Sequence, residues 1–163
     1  MSSTQHNLSS FSTDQQLSAD IRIGIVVADW NQEITHSLLQ GAQQTLLRAG
    51  LTSTQIVVKF VPGSFELPLG AQWLLENQQV HAVICLGCVI QGETPHFTFI
   101  SQAVADGIMR LNIDYNLPVI FGVLTVNSLE QAKDRSGGMH GNKGDEAAYT
   151  AIRMIALQQA CEK

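Results

Sequence analysis

A chain of 163 residues, 45% hydrophobic and 14% charged, has the usual length of one domain and enough apolar material for a sizeable core. The low charge also suits a subunit that hides part of its surface against copies of itself. A net charge of −5 with no basic cluster argues against nucleic-acid binding through phosphate neutralisation, and the longest apolar run, Pro118 to Val126, is too short for a membrane span.

The opening "MSSTQHNLSSFSTDQQLSAD" is polar and rich in Ser, Gln and Thr. It has neither the basic and apolar regions of a secretory signal nor the Arg and Lys of a transit peptide. Residues 1–20 read as a flexible arm, residues 21–163 as a single domain, and the location as cytoplasmic. "IRIGIVVA" (Ile21 to Ala28) is continuously apolar and β-branched, the pattern of a parallel strand buried on both faces. After the turn "DWNQ", Ile34, Leu38, Ala42 and Leu46 recur every four residues, and Gly50 closes that helix. A second strand, Gln55 to Val61, stops at Pro62-Gly63. Phe65, Leu69, Gln72 and Trp73 then give a partial helical stripe, with Trp73 expected in the core.

The third strand is "AVICLGCVI". Its Cys85 and Cys88 form a C-x-x-C, but they lie within a strand and no second ligand pair follows, so buried free thiols are expected. The next helix is expected to have Thr94 at its N-cap and Pro95 in its first position, with the stripe Phe97, Ile100, Val104, Ile108 and Leu111. Pro118 to Val126 is the fourth strand. A short helix "SLEQAKDR", a Gly-rich loop "SGGMHGNKG" and a last helix from about Asp145 complete the chain. The order β-α-β-α-β-α-β-α-α predicts an α/β three-layer sandwich around a four-stranded parallel sheet.

Ligands of such sheets bind outside the carboxyl ends of the strands. "QGETPH" there offers Gly92 for a sharp turn, helix N-terminal amides and Thr94 for an anion, and His96 in the first helical turn. The positive helix end favours a neutral imidazole, which can take up and return a proton. Trp30 can stack on a flat ring, and Ser64, Phe65 and Glu66 can meet the polar edge of a heterocycle. Arg135 offers a bidentate fork for phosphate, with Lys133 and Lys143 the other cations of that region. The histidines show no spacing for a metal site, and the common nucleotide, hydrolase and zinc-protease motifs are absent. These residues point to an enzyme acting on a phosphorylated small molecule and a heterocycle, without naming the reaction.

Taken together, "GIVVADWN", "VPGSFELP", "LGCVIQGETPHF", "PVIFGVLTVNSLEQAKDRSGG" and "GNKGDEAA" resemble the lumazine synthase family in order and spacing, from roughly Arg22 to Leu157. The resemblance implies a flavodoxin-like fold and the penultimate step of riboflavin biosynthesis. In that step 5-amino-6-ribitylaminouracil condenses with 3,4-dihydroxy-2-butanone 4-phosphate to 6,7-dimethyl-8-ribityllumazine, releasing phosphate and water. No metal or organic cofactor is implied. Carried over, the aromatic stacker falls on Trp30, with Asn31 beside it. The ribityl and uracil segment falls on Ser64, Phe65 and Glu66, and a second wall on Cys88, Val89 and Ile90. The phosphate loop falls on Glu93 and Thr94, and the proton carrier on His96. The resemblance also implies pentamers, or shells of sixty subunits, in which a neighbour contributes Phe121, Arg135 and Lys143. The loop "SGGMHGNKG" has the shell-type length.

The sequence departs from the family at Gln91 and Met139, where many members carry cations, and at Ser136, where many have Ala. Trp30 replaces a common Phe, and the larger indole suggests appreciable riboflavin binding. Two other readings use the same fold: a riboflavin carrier that has lost turnover, and a flavodoxin-like electron-transfer module. The carrier would not need Arg135. The module would need a Ser/Thr-rich loop after the first strand, and "ADWNQEIT" is not one.

Overall fold

The computed structural model describes residues 20–162, so the arm expected over residues 1–20 lies, Asp20 apart, outside the described residues. The chain runs β1 (Ile23–Ala28), α1 (Gln32–Arg48), a 3-10 turn (Ser53–Gln55), β2 (Ile56–Val61), a 3-10 turn (Ser64–Glu66) and α2 (Leu67–Asn77). It continues with β3 (Ala82–Ile90), α3 (His96–Tyr115), β4 (Val119–Val126), α4 (Leu129–Arg135), the hairpin strands β5 (Ser136–Gly138) and β6 (Gly141–Asn142), and α5 (Lys143–Cys161).

Strands β1 to β4 form one parallel sheet in the order β2-β1-β3-β4. The apolar runs sort by parity, because successive side chains point to opposite faces. Ile23, Ile25 and Val27 join Ile84 and Leu86 under α1 and α5; Val26 and Ala28 join Val83 and Cys85 under α2 and α3. Leu38, Ile84 and Ile152 are fully buried, and truncating any of them to Ala costs about 2–5 kcal/mol. The chain leaves β1 toward β2 on one side and returns to β3 on the other. This reversal opens a crevice at the carboxyl ends of β1 and β3, where α/β sheets bind ligands.

Three local expectations need correction. Trp73 is 57% exposed rather than in the core. Helix α2 instead buries Leu67, Gly70, Ala71 and Leu74, and it lies so close to the sheet that a Cβ on Gly70 would stand 2.8 Å from Val61 Cγ1. That gap admits small and branched residues, so the stripe of Phe65, Leu69 and Trp73 turns outward. Second, Pro95 rather than Thr94 occupies the N-cap of α3, because the Pro95 carbonyl accepts from the Thr98 and Phe99 amides; no side chain caps this end. Third, the expected loop "SGGMHGNKG" is an antiparallel hairpin over Ser136 to Asn142, and its last two residues already belong to α5, which begins at Lys143. The spans of β3 and the helix stop at Gly50 (φ 97°) agree with the sequence reading.

Candidate active site

A pocket of about 600 Å³ opens at the reversal point. It is lined by Trp30 and Asn31 after β1, by Pro62 to Glu66 after β2, by Cys88, Val89 and Ile90 at the end of β3, and by His96 and Ile100 of α3. Trp30, Asn31, Ser64 to Glu66, Cys88 to Ile90 and His96 are brought together, whereas Glu93 and Thr94, also expected after β3, do not line the pocket. Pro62 and Gly63 open the strand-end turn "PGSFE" without being named as site residues, and Ile100 reads from spacing as a core stripe. Their signal was position: two sit at a strand's carboxyl end and one lies a single turn along the helix from His96.

The turn bearing Trp30 is held by the backbone. Asp29 N–H donates to the Val61 carbonyl at 2.8 Å and Trp30 N–H to that of Pro62 at 3.1 Å. Asn31 adopts the left-handed conformation (φ 61°, ψ 47°), which Asn tolerates better than most residues, and its Nδ2 donates to the Cys88 carbonyl at 2.9 Å. This bond links the stacking turn to the opposite wall. The indole of Trp30 remains 74% exposed, a free face at the mouth of the pocket.

Ser64 is buried because β3 carries a glycine beneath it. A Cβ on Gly87 would meet Ser64 Oγ at 2.6 Å, so a side chain there would push the Ser64–Glu66 turn out of the pocket. Burial also pushes the Cys88 thiol up to about 11, so Cys88 presents a neutral, apolar wall rather than a thiolate. Cys85 behind it is pushed up to about 12 by burial, and both thiols are free, as the sequence suggested. His96 opens α3 and is exposed; Glu93 and Thr94, in the turn just before it, are exposed too. Chemically, the pocket combines a flat aromatic face, backbone donors and acceptors, one carboxylate and one imidazole at a helix N-terminus.

Phe121, Arg135 and Lys143 do not enter this pocket. Phe121 and Lys143 line a different hollow of about 680 Å³ between α3, β4 and α5. Lys143 pairs with Glu146, and Lys133 pairs with Glu33 at 3.0 Å. Arg135 makes no ion pair among the described residues; its Nη1 donates only to the Gln131 carbonyl, at 3.1 Å. It is the uncommitted cation of that region. No group of His, Cys, Asp or Glu is placed to hold a metal ion among the described residues, and no described helix is long and apolar enough to cross a membrane.

This fold and pocket define a class: parallel α/β proteins with a pocket at the sheet's reversal point, the place where such sheets bind ligands. The sequence model of the 6,7-dimethyl-8-ribityllumazine synthase family matches residues 20–159, and the chain belongs to that family. Among similar proteins are the 6,7-dimethyl-8-ribityllumazine synthases of Cytophaga hutchinsonii, 57% identical over 96% of this chain and 98% of the relative, and of Porphyromonas gingivalis, 49% identical over 98% and 99%. That of Thermus thermophilus is 44% identical over 88% of this chain and 91% of its own.

Proposed function

We propose that this chain condenses 5-amino-6-ribitylaminouracil with 3,4-dihydroxy-2-butanone 4-phosphate to give 6,7-dimethyl-8-ribityllumazine, phosphate and water. The observation that supports this reading most is the convergence of Trp30, Ser64 to Glu66, Cys88 to Ile90 and His96 on one pocket, in a chain whose residues 20–159 match the synthase family. Trp30 stacks on the pyrimidine. The Ser64–Glu66 turn and the Cys88–Ile90 wall meet its polar edge and the ribityl chain, with Asn31 holding the two walls in register. The 5-amino group attacks the ketone, and an imine forms with loss of one water. His96 moves the protons that accompany imine formation and loss of phosphate. The phosphate rests on the amides of Glu93, Thr94 and the start of α3, with the Glu93 carboxylate turned away. Loss of phosphate breaks the C4–O bond and leaves an enol that becomes a ketone at C3; the ribitylamino nitrogen attacks that carbonyl and closes the ring with loss of a second water. No metal or organic cofactor takes part.

The phosphate of this reaction calls for a cation, and Arg135 is the one left uncommitted. It reaches the pocket of a second copy, together with Phe121 over the pyrimidine and Lys143 nearby, and residues 21–163 act as one domain within a pentamer or a sixty-subunit shell. Two features support this: the separation of these three residues from their own chain's pocket, and the exposed apolar side chains Leu69, Trp73, Phe99, Met109 and Ile113. The test is to mix both substrates with the protein, follow lumazine absorbance and measure the particle mass. Turnover by an assembly is expected; a rate no greater than that of the uncatalysed mixture, or full activity in a monomer, would overturn the reading.

A further inference from the structure

The segment that carries Arg135 is fastened by two side chains, Asn142 nearby in sequence and Ser37 far from it. Arg135 ends α4, and the backbone carbonyl of the next residue, Ser136, accepts from Ser37 Oγ on α1 and from Asn142 Nδ2 at 3.4 Å. The same Nδ2 donates to the Ser37 carbonyl at 2.8 Å, while Asn142 Oδ1 accepts from the Gly144 amide at 2.8 Å and so caps α5. One amide thus engages both its N–H groups and its oxygen, tying α1, the Arg135–Ser136 link and the start of α5 beside Lys143. Ser136 is buried, so these bonds are shielded from water.

The packing around Asn142 leaves it one position. A Cβ on Gly41 of α1 would stand 2.5 Å from Asn142 Cγ and would also collide with Asp145 Oδ1. Helix α1 therefore carries a glycine in its interior, where Ala would ordinarily stabilise, at the point where this side chain crosses it. We infer that Asn142 is a positioning residue for the phosphate step: it sets where Arg135 leaves α4, and thereby where the guanidinium meets the substrate phosphate. The inference rests on Arg135 being the phosphate clamp proposed above.

Asn142→Asp isolates this role. Asp remains a good N-cap and keeps the bond from Gly144, but it faces the Ser37 and Ser136 carbonyls with an oxygen instead of a donor. Gly41→Ala displaces Asn142 from the other side and serves where Asn142→Asp does not fold. The experiment measures KM for each substrate and kcat in wild type, Asn142→Asp, Gly41→Ala, Arg135→Ala and the double variant Asn142→Asp/Arg135→Ala. Expected for Asn142→Asp is a rise of about tenfold or more in KM for the butanone phosphate, as small misplacements of a clamp produce, with KM for the ribitylaminouracil nearly unchanged. In the Arg135→Ala background the same substitution adds little, because residues acting through one another are not additive. If Arg135→Ala raises that KM while Asn142→Asp and Gly41→Ala do not, or if the Asn142→Asp effect persists in full without Arg135, the positioning role is overturned and the clamp stands. If Arg135→Ala leaves the KM for the butanone phosphate unchanged, the clamp itself is wrong and this inference falls with it.

Discussion

Trp30 and Arg135 are opposite kinds of site residue. Trp30 stands in a turn stitched to β2 by two backbone bonds and to β3 by Asn31, and its pocket is complete on three sides within one chain. Arg135 stands at the end of a seven-residue helix, outside that pocket and with no carboxylate partner among the described residues. Under the proposed function, the heterocycle half can be judged from one chain, whereas the phosphate half needs a second copy. Recognition would then rest on the sheet and clamping on assembly.

The sharpest way to break this contrast is to separate the halves onto different chains. Arg135→Ala should lower kcat/KM by about 10²–10³-fold, the scale for removing a charged stabiliser from a reacting centre. His96→Gln should cost about 10²-fold, the scale of a lost proton carrier; holding both reactants together still supplies rate. Refolding the two impaired variants as an equal mixture should restore activity at about a quarter of the sites, since each restored site takes His96 from one variant and Arg135 from the other. A mixture as inactive as its components would place His96 and Arg135 in the same chain's site and end the contrast.

The heterocycle half is sharpened by Trp30→Ala, which should raise KM for the ribitylaminouracil about tenfold through lost stacking and apolar contact, with kcat nearly unchanged. Added riboflavin should quench tryptophan emission in the wild type, because Trp30 is 74% exposed at the pocket. Trp73, on the outer face of α2, supplies an unquenched background. Equal quenching in the variant would move the stacking surface away from Trp30.

Much of this was legible in the sequence because strand ends announce themselves. Unusual turns follow apolar runs, and parallel topology gathers carboxyl ends on one edge. Side-chain direction was less legible. Trp73 fits a helical stripe by spacing, yet only the closeness of α2 to Val26 and Val61 decides which stripe faces in. Thr94-Pro95 carries the signature of a capped start, but the first carbonyl to accept helical bonds is that of Pro95. Asn142 lies in the family-like stretch "GNKGDEAA", but nothing in that stretch announced its bonds to α1. Its partner Ser37 lies 105 residues away, and a bond across that separation is written in tertiary packing rather than in local pattern.

The smallest effect lies in the core behind the pocket. Cys85 is fully buried on β3, and burial raises its thiol from 9.0 to about 12. Below pH 9 the thiol keeps its proton in both folded and unfolded chains, so it contributes no pH dependence. Above that, the unfolded thiol ionises while the folded one does not. The unfolded state then binds fewer protons, and stability falls as pH rises toward about 12. The limiting slope is about 1.4 kcal/mol per pH unit for one thiol. Cys88, raised to about 11, adds a second contribution over a narrower window. Urea unfolding of wild type and Cys85→Ala, at neutral pH and near pH 10, isolates the thiol, because other alkaline groups titrate alike in both. The variant should be less stable at neutral pH through its lost packing, and should lose less stability than the wild type on going to alkaline pH. A parallel decline in the two proteins would mean that the Cys85 thiol ionises as easily inside the sheet as in the unfolded chain. The neutral character of the wall beside Trp30 would then have to be established from Cys88 alone.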